Sequence, residues 1–171
     1  MNRINLKEQL LNFTFLLLVQ LPLVHRLALF NVAFGFIYVG FLLFLPVTLS
    51  RIYLLLIGFC TGLLIDLFSN TPGLHALSCV FLMFIRNAWL AIINDDWKEL
   101  GNLNIWNLRW TGFLGFIFPL ILIHHFLLFI IENGGFHLFG TVIQRIFFST
   151  IFSTVAIFII HFLMTPRSKR I

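Results

Sequence analysis

The sequence predicts an all-α protein, a polytopic transmembrane bundle of about six helices that forms one integral membrane domain over residues 1–171. The chain is 60% hydrophobic and only 10% charged, with a mean hydropathy of +1.03. Because soluble domains carry about 25% charged residues, a soluble fold of this composition would expose apolar patches that water does not tolerate. Long apolar runs, several of them bounded by turn residues, also predict transmembrane helices.

Six apolar segments approach the length that a helix needs to cross a bilayer, which is about 20 residues. A β-barrel would need alternating apolar and polar residues, and the apolar runs do not alternate. The first segment follows basic residues as a signal peptide would, but no small-residue cleavage pattern follows it, so we expect a retained span. The expected spans are residues 8–24, 26–46, 51–68, 73–93, 111–131 and 139–164.

Lysine and arginine are distributed unevenly between the two faces that these spans define. Of the 11 in the chain, eight fall on one face, Arg26 falls on the other, and Arg86 and Arg145 lie inside spans. Since basic loops stay in the cytoplasm, both termini are expected there. The basic residues are scattered rather than clustered, so the net charge of +5 does not indicate nucleic-acid binding. The eight Lys and Arg residues that fall on the predicted cytoplasmic face are Arg3, Lys7, Arg51, Lys98, Arg109, Arg167, Lys169 and Arg170.

Few residues have the spacing that catalysis or metal binding requires. His124 and His125 are adjacent, and neighbours on a helix point about 100° apart, so they are poorly placed to share a metal ion. His161 has no partner at metal-ligand spacing, and Cys60 and Cys79 lie in different spans without a paired-cysteine motif. No phosphate-binding loop or nucleophile elbow is present. We therefore expect no enzyme activity, no cofactor and no metal site.

Three charged residues lie inside predicted spans, namely Asp66, Arg86 and Arg145. A charge in a bilayer is costly, so each is a candidate functional residue. Asp66 and Arg145 fall at similar depth near the outer ends of their spans, and we expect them to form an ion pair. Arg86 lies in the inner half of its span, where it either extends to the inner headgroups or has a specific function.

Gly58, Gly62 and Asp66 recur every four residues along the third span. Small residues at this spacing let another helix approach closely, so the stripe is expected to pack against a span of the same chain or to receive a partner's helix. The turn that follows, which contains Pro72 and Gly73, predicts a tight hairpin between the third and fourth spans.

All four tryptophans lie in or beside the link between the fourth and fifth spans: Trp89, Trp97, Trp106 and Trp110. They are expected to form an aromatic belt at the membrane interface. Alternatively, residues 95–110 form a short interfacial helix that docks a cytoplasmic partner.

The stretch from Gly58 to Leu77 resembles the core of MreD, the rod shape-determining membrane protein family of bacteria. That family shows a Gly, a second Gly four residues later, an Asp after another four, a short turn, and a Gly that opens the next span. Gly58, Gly62, Asp66 and Gly73 match these elements in order. The direct match covers about 20 residues, and the number of spans agrees over the rest of the chain.

The resemblance implies a non-catalytic scaffold of the cell-elongation machinery, which regulates cell shape and lateral peptidoglycan synthesis. It implies a bacterial cytoplasmic membrane location and a partner similar to MreC, a single-span protein. Through that partner, the MreB filament and the wall-synthase complex are expected to be reached indirectly.

The family fold is similar to the substrate-binding subunits of energy-coupling-factor transporters, which gives an alternative function. Such a subunit binds a small, vitamin-type molecule in a pocket near the outer ends of its helices. The polar residues expected near those ends are few, namely His75, Glu132, Asn133 and His137.

Overall fold

The computed structural model describes Phe15 and residues 28–29, 32–93, 110–135 and 138–164. Two short strands, β1 and β2, are followed by a short helix, α1, and by four long helices, α2 to α5. The bounds are Ala28–Leu29 (β1), Ala33–Phe34 (β2), Tyr38–Phe44 (α1), Arg51–Ser69 (α2), Leu74–Ile93 (α3), Trp110–Glu132 (α4) and Phe139–Met164 (α5).

The four long helices have the length and apolar composition needed to cross a membrane. They correspond to the predicted third to sixth spans, and each boundary lies within one residue of the predicted one. The predicted first span, apart from Phe15, and the tryptophan-containing link lie outside the described residues.

The predicted second span, residues 26–46, is wrong as a continuous helix. β1 and β2 pair antiparallel in this segment, with Ala28 opposite Phe34 and Leu29 opposite Ala33. α1 has only 7 residues, and at 1.5 Å per residue it is about 10 Å long, which is far short of the roughly 30 Å core of a bilayer.

Side chains of α5 explain why this apolar segment can depart from a helix. The Phe34 N–H donates to Ser149 Oγ at 2.9 Å, and the Phe36 N–H donates to Ser153 Oγ at 3.0 Å. Non-helical backbone is tolerated at membrane depth where protein groups satisfy its hydrogen bonds. Residues 33–45 therefore lie largely inside the bundle, and all of α1 is buried.

The four long helices pack in sequence order, α2 on α3, α3 on α4 and α4 on α5, while β2 lies against α5 and α1 lies against α3 and α4. The buried core is apolar and includes Leu42, Leu82, Phe113 and Phe116. Large apolar side chains also cover the outer faces of the helices; Leu67, for example, is 74% exposed. Such an outer surface suits contact with lipid.

Trp89 stabilises α4 where Pro119 interrupts its hydrogen-bond ladder. Proline has no N–H, so the carbonyl four residues before it, that of Gly115, loses its helical donor. The Trp89 indole Nε1–H donates to this carbonyl at 3.1 Å. One of the predicted belt tryptophans thus joins α3 to α4, whereas Trp110 is exposed at the start of α4.

Candidate functional site

The Gly58–Gly62 stripe faces α3 of the same chain. A Cβ atom on Gly62 would lie 2.4 Å from the Ala76 Cα and 2.5 Å from the His75 carbonyl oxygen. At Gly58 it would lie 2.8 Å from Met83 Cγ. Of the two partners expected for this stripe, the structure therefore places a helix of the same chain against it.

Asp66, the third residue of the stripe, caps the start of α3. Its Oδ1 accepts hydrogen bonds from the Thr71 hydroxyl and the His75 N–H, and its Oδ2 accepts one from the Ala76 N–H, all at 2.9 Å. The first N–H groups of a helix have no partner within it, and a carboxylate also interacts favourably with the positive end of the helix dipole. Gly73, which precedes α3, has no side chain that could do this, so the preceding helix supplies the cap.

The turn between α2 and α3 confirms the predicted hairpin and explains its composition. Asn70 and Gly73 both have positive φ angles, of 55° and 85°, a region that asparagine and glycine adopt most readily. The Thr71 N–H donates to the Asp66 carbonyl at 3.2 Å. Pro72 is exposed in this turn.

The expected ion pair between Asp66 and Arg145 is not formed. Both carboxylate oxygens of Asp66 bind the start of α3 instead. The Arg145 guanidinium, on α5, lies over the Phe34 ring with its carbon 5.9 Å from the ring centroid. Equal depth along two spans does not place two residues on facing sides of neighbouring helices, which is why the prediction of an ion pair is wrong.

One of the two interpretations of Arg86 expected its side chain to extend to the membrane surface, and it does not. It is fully buried, and its Nε and Nη2 donate to the Leu43 carbonyl at 3.2 and 2.9 Å. Nη2 also donates to the Leu45 carbonyl, and Nη1 donates to Asn87 Oδ1 at 2.8 Å. The last carbonyls of a helix lack internal donors and carry partial negative charge, so Arg86 caps the C-terminal end of α1.

A buried cluster of polar side chains lies at the other end of α1. The Tyr38 hydroxyl lies 2.8 Å from His75 Nδ1 and 3.2 Å from His124 Nε2, so it joins α1, α3 and α4. A hydroxyl has one proton to donate. Since it can donate to only one of these imidazoles, the other must donate to the hydroxyl oxygen. Cys79 Sγ lies 3.9 Å from His124 Nε2.

His124 Nδ1 is buried without a hydrogen-bond partner among the residues that the structure describes. The neighbouring His125 turns toward α5, where its ring nitrogens lie 3.4 Å from Thr150 Oγ1 and Ser153 Oγ. Ser153 is the residue that also accepts the Phe36 N–H. The two adjacent histidines therefore contact different helices, as their angular separation predicts.

Three polar residues of these contacts were not predicted from the sequence, namely Tyr38, Ser149 and Ser153. The two serines are four residues apart on α5, a spacing that indicates one helix face and could have marked them. Nothing in the local sequence distinguishes Tyr38 from an interfacial tyrosine.

Within the described ranges, no group of three or more His, Cys, Asp or Glu side chains could hold a metal ion. Cys79 is buried and Cys60 is exposed, and both are free thiols. His161 stacks on Phe113 with ring centroids 4.0 Å apart. Several of the buried polar groups join elements: Tyr38, Arg86 and Ser153 each link α1, or the segment that precedes it, to a long helix.

No protein-family model matches this chain, and no match was found among curated proteins or solved structures.

Proposed function

We propose that this protein is a non-catalytic membrane scaffold of the bacterial cell-elongation machinery, of the MreD type. It would lie in the cytoplasmic membrane with both termini inside and associate with a single-span, MreC-like partner. The MreB filament and the wall-synthase complex would be reached through that partner.

The geometry of the motif is the observation that supports the proposal. Gly58, Gly62, Asp66 and Gly73, which carry the resemblance to MreD, all belong to one structural unit. The glycines bring α2 against α3, and Asp66 bonds the same two residues, His75 and Ala76, that oppose Gly62. Because these residues depend on one another structurally, their joint occurrence is a more specific resemblance to MreD than isolated glycines and an aspartate would be.

The arrangement of the polar residues is compatible with a scaffold. Arg86 and Asp66, which are the buried Arg and Asp side chains of the described residues, bind backbone groups of this chain. Their role in this structure is to fix helix ends, which gives a rigid bundle that can present its outer surfaces to other membrane proteins.

Co-purification tests the proposal directly. The full chain, tagged and co-expressed with the MreC-like protein of the same bacterium, is expected to retain that protein in mild detergent, whereas an unrelated polytopic membrane protein is not. Depletion of the chain is expected to turn rod-shaped cells round. Failure to retain the partner, together with unchanged cell shape on depletion, would refute the scaffold function.

A substrate-binding subunit of a small-molecule transporter is the second candidate, and the buried Tyr38–His75–His124 cluster favours it. His124 Nδ1 has no partner within the described part of the chain, and buried polar atoms are normally hydrogen-bonded. Equilibrium dialysis of the purified chain against a panel of water-soluble vitamins separates the two functions. Saturable binding that is lost in Tyr38→Phe would favour the transporter subunit.

A further inference from the structure

Three polar residues lie in the first two turns of α5, before the buried serines that bond residues 34 and 36. Thr141 and Gln144 are exposed, and Arg145 is half-buried. Gln144 and Arg145 lie three and four residues after Thr141, so each of them is a neighbour of Thr141 on the helix surface. Beyond them, the exposed face of α5 is apolar and includes Phe148 and Ile151.

Arg145 lacks an anionic partner in this part of the bundle. Its guanidinium lies over the Phe34 ring, and within the described residues it forms no ion pair and no hydrogen bond. Guanidinium has five N–H donors and no acceptor. In an apolar environment the N–H donors of a cation are normally paired with an anion or, as at Arg86, with backbone carbonyls, and Arg145 has neither among the described residues.

Helix geometry puts these three residues within reach of the end of the bundle at which α5 begins. Side chains of an α-helix tilt toward its N-terminus, which for α5 is the end at Phe139. Arg145 is six residues from that end, about 9 Å along the axis, and a long arginine side chain can span most of this distance. In the structure the guanidinium lies over the Phe34 ring. A lipid phosphate at this end of α5 would draw it toward the headgroup region, where the exposed Gln144 and Thr141 add further hydrogen-bond donors.

We infer that Thr141, Gln144 and Arg145 bind the phosphate of an anionic phospholipid in the leaflet at the N-terminal end of α5. Several donors around one cation match the oxygens of a phosphate, to which arginine binds through two parallel hydrogen bonds. Gly140 adds room for the headgroup, since nothing lies within 4 Å of the position of a Cβ atom there. By the lysine and arginine count, this leaflet is the outer one.

Arg51 provides a matched control. It is the first residue of α2 and, like Arg145, it lies over a phenylalanine ring, with its guanidinium carbon 4.9 Å from the centroid of Phe84. It is exposed and lies at the opposite end of the bundle, because α2 enters the α2–α3 turn at its C-terminal end. Removing Arg51 changes the net charge equally without touching the proposed site.

Native mass spectrometry of the full chain, released from nanodiscs of phosphatidylcholine with 20% phosphatidylglycerol, tests the site. The wild type is expected to retain one phosphatidylglycerol in preference to phosphatidylcholine. Arg145→Ala is expected to lower this retention about 5- to 10-fold, as loss of one charged contact predicts, and Gln144→Leu to lower it less. Arg145→Lys should retain part of it and Arg51→Ala all of it. Equal retention by Arg145→Ala and the wild type would overturn the inference.

A photo-crosslinking amino acid at Gln144 identifies the occupant independently of affinity. In the same nanodiscs, an adduct with the mass of phosphatidylglycerol supports the lipid site. An adduct within the chain, such as one to residues 8–24, would show instead that the face is covered by the protein itself. In native membranes, an adduct confined to another protein would likewise overturn the lipid assignment.

Discussion

Replacing Gly62 by alanine tests whether the glycine stripe holds α2 against α3. The added methyl group would lie 2.4 Å from Ala76 Cα, 2.5 Å from the His75 carbonyl oxygen and 2.6 Å from the Ala76 nitrogen. Carbon atoms in contact are normally about 3.5–4.0 Å apart. All three neighbours belong to the backbone, so no side-chain rotation relieves the clash, and α2 and α3 must separate by about 1 Å at this crossing.

The same separation would break the cap on α3, because His75 and Ala76 also donate to Asp66 at 2.9 Å. Lengthening these bonds by about 1 Å takes them beyond hydrogen-bond distance. Overpacking typically costs about 1–3 kcal/mol, and a hydrogen bond to a charged group contributes about 1.5–3 kcal/mol. Against this, alanine gains roughly 1 kcal/mol in helix propensity. We therefore expect Gly62→Ala to lower the free energy of unfolding by about 2–4 kcal/mol.

Gly115→Ala is the matched control, since nothing lies within 4 Å of its Cβ position. It is expected to leave stability unchanged or raise it by up to about 1 kcal/mol. Gly58→Ala should fall between the two, because one of its close neighbours is the flexible Met83 side chain. The assay is reversible unfolding by SDS in mixed micelles, followed by circular dichroism. A Gly62→Ala variant as stable as Gly115→Ala would refute this account of the stripe.

Three further substitutions test the other polar contacts in the same assay. Asp66→Asn is expected to lower the free energy of unfolding by about 1–3 kcal/mol, because the neutral amide loses the charge that interacts with the start of α3 and offers one acceptor oxygen in place of two. An unchanged unfolding midpoint would refute the cap. Arg86→Met should lower the free energy of unfolding by at least about 2 kcal/mol, since it leaves two buried carbonyls at the end of α1 without donors. Arg51→Met should leave it nearly unchanged, and equal effects of the two substitutions would contradict a specific role for Arg86. Tyr38→Phe removes a hydroxyl between two imidazoles and is expected to lower the free energy of unfolding by about 1–3 kcal/mol. It should also shift the ring-nitrogen resonances of these histidines in NMR spectra, and unchanged resonances would show that the hydroxyl does not form hydrogen bonds with them.

A consequence of the scaffold proposal is that the motif acts through the fold. Asp66→Asn and Gly62→Ala should then reduce partner retention in proportion to the loss of folded protein. If either variant stayed folded and inserted but lost the partner, the α2–α3 hairpin would itself be an interface.

The sequence by itself determined the four long helices and the hairpin between α2 and α3. Each helix is a continuous apolar run whose length matches the bilayer, and its ends are marked by turn residues such as Asn70, Pro72 and Gly73. These are local properties, since backbone hydrogen bonds within a helix depend only on neighbours along the chain. The bounds were therefore predicted to within one residue.

Only the tertiary structure decided the conformation of residues 28–29 and 32–45 and the partners of the buried polar groups. Hydropathy treats this segment as another span, but its backbone departs from a helix because Ser149 and Ser153, 115 and 117 residues away from their partners, satisfy it. Arg86 likewise bonds carbonyls 43 and 41 residues away. A buried polar group must find a partner somewhere, but which one it finds depends on how the helices rotate and pack, and no local pattern encodes that.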